Sequence, residues 1–168
     1  MIFAAYAGTG KSYAAEEFNG VLDMAIVPYK YQFPKEYKEE DFTECDKGCI
    51  ECPLDDTYPE KYVADVLKNC GCYNHILIPS DNRVMNVLEA QKVEFVLCYP
   101  ERCLKEEYRK RYQTKGNTEE FMRIFVDRWD AWIDSFERRS CKKYVMQQRK
   151  FLKEIIEKYM IEERKQCI

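Results

Sequence analysis

The sequence predicts an α/β fold, with a mostly parallel sheet of about five strands between two layers of helices. Three observations carry that expectation. Short apolar runs bounded by turn residues recur along the chain. Between them lie stretches whose apolar residues repeat at helical spacing, and strands alternating with helices build parallel crossover units that cover both faces of a sheet. At 168 residues the chain suits one domain with a sizeable core better than two.

The first apolar run, Ile2-Phe3-Ala4-Ala5, leads straight into Tyr6-Ala7-Gly8-Thr9-Gly10-Lys11-Ser12. From Ala5 to Ser12 this stretch fits the phosphate-binding pattern (Ala or Gly)-x-x-x-x-Gly-Lys-(Ser or Thr), with a strand before it and a helix-prone run after it. Each residue type has a physical task. Gly8 and Gly10 admit backbone conformations closed to other residues, so that successive N–H groups can turn toward phosphate oxygens. The following helix adds its partial positive end. Lys11 is placed to reach the outer phosphates and Ser12 to ligate Mg²⁺. The expected nucleotide-binding residues are therefore Ala7, Gly8, Thr9, Gly10, Lys11, Ser12 and Tyr13, the expected cofactors ATP and Mg²⁺, and the fold class a three-layer α/β/α P-loop NTPase.

Asn19-Gly20 then stops the first helix, and Val21-Leu22-Asp23-Met24 follows as a short strand with Asp23 near its end. The stretch from Pro28 to Pro34 is expected to be irregular. Residues 35–57 form a charged, cysteine-bearing insertion or acceptor-side loop. A helix opens near Pro59 and runs to about Asn69, with Tyr62, Val63, Val66 and Leu67 on one face. His75 to Pro79 is a compact strand, and Ser80-Asp81-Asn82 turns and caps the next helix, which buries Val84, Val87 and Leu88. Glu94 to Tyr99 is another buried strand, stopped by Pro100. Leu104 to Thr114 is a charged helix, and Thr118 caps a further one. The aromatics of that second helix, Phe121, Phe125, Trp129, Trp132 and Phe136, belong to a core and not to a base-stacking platform. Lys143 to Met146 gives a last strand, and Phe151, Leu152, Ile155, Ile156 and Tyr159 mark a closing helix. Ligands of such sheets gather at the carboxyl ends of the strands.

Composition narrows the function further. Charged residues make up 34% with a net charge of only −3, which gives no electrostatic case for a nucleic-acid surface. Thirteen Tyr, nine Phe and two Trp suit a folded protein. No apolar stretch reaches the ~20 residues that span a bilayer, and Met1 enters the first strand without a leader pattern. The expectation is a cytoplasmic protein that takes small nucleotide substrates, touches neither nucleic acid nor membrane, and exists as a monomer or homodimer. Nine cysteines, an odd number, are expected as thiols and not as a disulfide framework. Cys45, Cys49, Cys52, Cys70 and Cys72 hold enough sulfur for a structural zinc, but their spacing lacks the paired C-x-x-C pattern, and zinc is not the favoured reading.

The run Tyr99-Pro100-Glu101-Arg102, continued by Tyr108-Arg109-Lys110-Arg111-Tyr112-Gln113-Thr114-Lys115-Gly116-Asn117, gives the chain a family likeness. With the glycine loop, Asp23 and the segment from Tyr58 to Tyr62, it resembles small P-loop kinases of the nucleoside and nucleoside-monophosphate kinase superfamily. The resemblance implies a basic lid over residues 102–117, with Arg109, Arg111 and Lys115 neutralising charge on the transferred phosphoryl group. The plainer reading is a solvated helix face whose charges pair with one another. It also implies that Asp23 orients the acceptor, takes its proton or helps to anchor Mg²⁺, against the alternative of an ordinary turn aspartate. By analogy, residues 147–149 fall near the adenine. The chain departs from adenylate kinases in having Ile78-Pro79-Ser80-Asp81 in place of Asp-Gly-x-Pro. The function expected is transfer of the ATP γ-phosphate to a nucleoside or nucleoside monophosphate, with Lys11, Asp23, Arg109 and Arg111 as catalytic residues. The alternative is a nucleotide-binding or slowly hydrolysing regulatory protein with no small acceptor.

Overall fold

A computed structural model describes residues 1–36 and 52–166. Five strands, β1 (Ile2–Ala5), β2 (Val21–Asp23), β3 (His75–Pro79), β4 (Phe95–Pro100) and β5 (Lys142–Met146), form one sheet in the order β2-β3-β1-β4-β5. Every pairing is parallel. Among the described residues eight α-helices surround it. They are α1 (Lys11–Glu17), α2 (Val27–Lys30), α3 (Glu60–Asn69), α4 (Asn82–Ala90), α5 (Lys105–Thr114), α6 (Glu119–Met122), α7 (Trp129–Glu137) and α8 (Leu152–Gln166). A single 3₁₀ turn, Arg102–Leu104, leads into α5, and a π-helical turn, Arg123–Asp127, joins α6 to α7.

The central strand explains the layering. All four residues of β1 are buried, as a parallel strand covered on both faces requires. Its side chains alternate between two cores. Ile2, Ala4 and, just beyond the strand, Tyr6 join the apolar faces of α3, α4 and α7. Phe3 and Ala5 point the other way, onto Ala14 of α1 and Leu152, Ile155 and Ile156 of α8. Strands β1, β3 and β4 are near-continuous apolar runs, whereas the edge strand β5 is largely half-exposed.

The aromatic run is core, as expected. Trp129 and Phe136 are fully buried, and both pack edge-on against Tyr6, with ring centroids 5.5 and 5.8 Å away. The helix expected there is continuous in the sequence pattern but interrupted in the structure. The wider π turn leaves the Phe125 carbonyl to accept a 2.7 Å hydrogen bond from the Tyr6 hydroxyl. Likewise the stretch from Pro28, expected to be irregular, opens with the short helix α2, since proline is tolerated in a first helical turn. Of the insertion at 35–57, residues 37–51 lie outside the described residues. Its far end returns antiparallel, through a bridge of Tyr31 with Leu54. His75 is fully buried at the start of β3, its ring edge-on to Phe3 at 5.6 Å.

Candidate functional site

At the carboxyl end of β1 the chain makes a tight loop from Tyr6 to Gly10 before α1 begins. Gly8 and Gly10 adopt φ of +74° and +91°. A Cβ at Gly8 would lie 2.7 Å from Cε1 of Tyr112, so both the dihedral and the close approach demand glycine. The loop's carbonyl oxygens are all engaged by the protein. The Tyr6 carbonyl accepts from the buried Thr9 hydroxyl at 2.8 Å. Those of Ala7, Gly8 and Thr9 accept from the Tyr112 hydroxyl (2.9 Å), Arg111 Nη1 (3.3 Å) and the Leu152 N–H (2.9 Å). In a trans peptide the N–H points opposite to its C=O. The N–H groups of Gly8 and Gly10 are therefore turned away from Tyr112 and Leu152, and amides presented in this way form an anion-binding concavity.

Behind this loop stands a wall of tyrosine. Tyr108 and Tyr112, on the inner face of α5, are 1% exposed. Burial pushes the Tyr108 phenol up to about 12 and that of Tyr112 higher still, so Tyr112 stays a neutral donor to the Ala7 carbonyl.

Lys11 opens α1 and Ser12 follows it, exposed. The Ser12 hydroxyl donates to Asp23 Oδ2 at 2.8 Å, which joins the glycine loop to the end of β2. A hydroxyl has one proton and two lone pairs, so this bond leaves the Ser12 oxygen able to ligate a cation. The other Asp23 oxygen, Oδ1, is buried without a hydrogen-bond partner, an arrangement that a ligand, water or ion would relieve.

The two arginines expected to act together part company. Arg111 faces the glycine loop, ion-paired with Glu107 at 2.5 Å, and its guanidinium lies 4.6 Å from the Tyr108 ring centroid and 4.4 Å from that of Phe151. Arg109 instead pairs with Glu106 on the solvent side, at 3.2 Å. Residues two apart on an α-helix are separated by ~200° of rotation, so one helix cannot aim both at one cleft. The solvated-face reading describes Arg109, Arg111 lies against the glycine loop, and α5 itself is anchored in the core by Tyr108 and Tyr112.

An open cleft of about 860 Å³ runs along this wall, lined by Gly8, Gly10, Tyr13, Arg111, Lys115 and Phe151, among others. That volume matches small-molecule sites. Phe151 is the residue that the sequence reading misplaced. Expected on the buried face of the closing helix, it precedes α8, is 41% exposed, and forms one side of the cleft. Tyr13 is half-exposed beside it, with Lys153 5.3 Å from its ring centroid and paired to Glu17 at 2.8 Å. Residues 147–149, given to the adenine by analogy, are not among the residues that line the cleft.

On the other side of the glycine loop, Lys30 at the end of α2 meets Asp81 at 3.1 Å. Asp81 also caps α4, its Oδ1 accepting from the Arg83 N–H at 2.8 Å. Burial works to raise the Asp81 carboxyl, but the Lys30 charge and hydrogen bond, with the Arg83 amide, hold it below the ordinary carboxylate range. Tyr62 closes the floor, its hydroxyl donating to the Met24 carbonyl at 2.7 Å.

No family model matches the chain, and no curated protein matches it. Among the described residues no three His, Cys, Asp or Glu side chains gather as a metal site. Cys45 and Cys49 lie outside the described residues, while Cys52, Cys70 and Cys72 are free thiols. Among the described residues, too, no helix is long and apolar enough to cross a membrane.

Proposed function

We propose that this protein is a P-loop phosphotransferase that moves the γ-phosphate of ATP to the hydroxyl or phosphate of a small acceptor, a nucleoside or nucleoside monophosphate. The observation that carries the reading is the glycine loop. Its carbonyls are tied back by Tyr112, Arg111 and Leu152, its glycines hold positive φ, and Lys11-Ser12 follow directly at the carboxyl end of the central strand. The P-loop NTPase fold and the kinase superfamily belong to the same reading, supported by the all-parallel sheet and the motif's place in it.

Each group has a role in the chemistry. Gly8, Thr9 and Gly10, with Ala7 and Tyr13 flanking, bind the phosphate chain, and Lys11 offsets its charge. Arg111 and Phe151 border the cleft in which the nucleoside half of ATP lies, and stacking on an aromatic ring accounts for its affinity there. Ser12 fits a divalent cation, because its proton is committed to Asp23 and its lone pairs remain available. Ser12 would hold Mg²⁺ there, and the ion would supply positive charge to offset that of the phosphates. The acceptor oxygen forms its bond to the γ-phosphorus as the bond to the bridging oxygen of ADP breaks, and where the acceptor is a hydroxyl its proton passes to the Asp23 carboxylate.

The deciding experiment measures ADP release from Mg-ATP with a panel of nucleosides and nucleoside monophosphates, for the wild type and Lys11→Ala. Acceptor-dependent turnover, reduced at least ~100-fold by the substitution, is the expected result. Tight ATP binding with no acceptor-dependent ADP would instead assign a nucleotide-switch protein, and absence of ATP binding would dismiss both.

A further inference from the structure

We infer, resting on the phosphotransferase reading, that Glu107, a carboxylate on the wall of the nucleotide cleft, is a positioning residue for nucleotide binding. It holds Arg111 so that one guanidinium both fastens the glycine loop and backs the Phe151 ring.

A carboxylate beside a site for phosphates repels the ligand, so Glu107 is costly there unless it does something else. It lies one helical turn before Arg111 on α5, the order in which a glutamate best meets a following cation. Its Oε1 is 2.5 Å from Nη2, and the side chains of Glu107 and Arg111 are only 25% and 16% exposed. The adjacent pair of Glu106 and Arg109 is far more open to solvent, where such bridges hold a side chain weakly. From Nη1, Arg111 donates to the Gly8 carbonyl at 3.3 Å. Its guanidinium carbon also lies 4.6 Å from the Tyr108 ring centroid and 4.4 Å from that of Phe151. The Phe151 ring in turn lies over Gly10, where an added Cβ would sit 3.5 Å from Phe151 Cδ1. The guanidinium therefore reaches the loop at Gly8 directly and at Gly10 through the ring.

The distances rank these contacts. A 3.3 Å bond to a neutral carbonyl is long, whereas the 2.5 Å contact with a carboxylate is charge-assisted and stronger. Glu107 is thus the hold that fixes the guanidinium, and the contacts with Gly8 and Phe151 follow from where it is held. Ordering a long arginine side chain costs rotamer freedom, and Glu107 meets that cost before nucleotide arrives. A planar guanidinium suits the task, since its edge donates to oxygen while its faces lie against rings. Two roles for Arg111 then predict opposite signs. Were it a mobile charge for the phosphates, Glu107 would compete with them for it, and removing the carboxylate would tighten nucleotide binding. With Arg111 held as a strut, removing the carboxylate loosens the loop and the ring together, and binding weakens.

The test measures Mg-ATP affinity by calorimetry, and KM and kcat for ADP release, in the wild type, Glu107→Ala and Arg111→Lys. Glu107→Ala is expected to weaken Mg-ATP binding about fivefold or more, although it removes a negative charge from the cleft. Arg111→Lys keeps the charge but loses the planar fork, and is expected to weaken binding by a similar factor. In both variants KM for Mg-ATP is expected to rise by a larger factor than kcat falls. Should Glu107→Ala fail to fold, Glu107→Gln serves instead, with weakening of about twofold or more expected, because the amide still accepts one hydrogen bond. Unchanged or tighter Mg-ATP binding in the Glu107 variant, or full affinity in Arg111→Lys, overturns the inference and leaves the phosphotransferase reading standing. So does a fall in kcat at unchanged KM, which would put Arg111 on the phosphoryl group in transfer. A wild-type chain that binds no Mg-ATP removes both.

Discussion

Gly8 is where backbone and side-chain constraints coincide. Its φ of +74° already penalises any L side chain, and the ring of Tyr112 occupies the space that a Cβ would need. Gly8→Ala is expected to cost about 1–3 kcal/mol of stability and to abolish ATP binding, as read by urea denaturation beside nucleotide titration. Tyr112→Phe keeps the ring and removes only the hydrogen bond to Ala7, and is expected to cost about 0.5–1.5 kcal/mol in the same denaturation assay. The glycine was legible in the sequence because the loop's pattern is local. Tyr112 was not, because nothing local ties it to a carbonyl 105 positions away. Arg109 and Arg111 could have been separated from sequence by helix geometry alone, and reading them as a pair overlooked that rotation. Phe151 misled differently. Its apolar side chain fitted the helical repeat, yet the helix starts one residue later and leaves the ring in the cleft.

At the scale of elements, the Lys30–Asp81 bridge ties the short helix α2 to the first turn of α4 and makes their union sensitive to acid. Folding lowers the Asp81 carboxyl below its unfolded value of about 3.9, so its stabilisation is complete above that pH and fades as pH falls through the folded value. Thermal melts across pH 2–7 are expected to show Lys30→Met losing less stability than the wild type as pH drops below about 4. An equal acid-side slope in both proteins would remove the bridge from this account. The cap at Asp81 was legible, being a local signal before an apolar repeat; its lysine partner was not. The π turn at Arg123–Asp127 escaped notice for a related reason. A run of aromatics preserves helical spacing well enough to hide one wider turn, and only the Tyr6 hydroxyl across the core reveals what that turn supplies.

Across the described residues, β1 serves two cores at once, and the sheet is a layer that both share. Ile156→Ala, fully buried in the core beneath α1 and α8, is expected to cost about 2–5 kcal/mol. Both tryptophans lie in the opposite core, so fluorescence and far-ultraviolet dichroism sample different parts of the fold. Their urea transitions are expected to shift together in this variant; separate midpoints would mean that the layers unfold independently. Alternation of strands and helices made the parallel sheet and its two faces legible. The order β2-β3-β1-β4-β5 was not, since it depends on which faces meet after the chain has folded back. That dependence gives the glycine loop a history in time. Residues 5 to 12 are made before the groups that fasten their carbonyls, at Arg111, Tyr112 and Leu152, which follow about a hundred residues and more later. A half-made chain thus carries the motif without the cradle. On the proposed reading, nucleotide capture therefore waits until the chain has been made as far as Leu152.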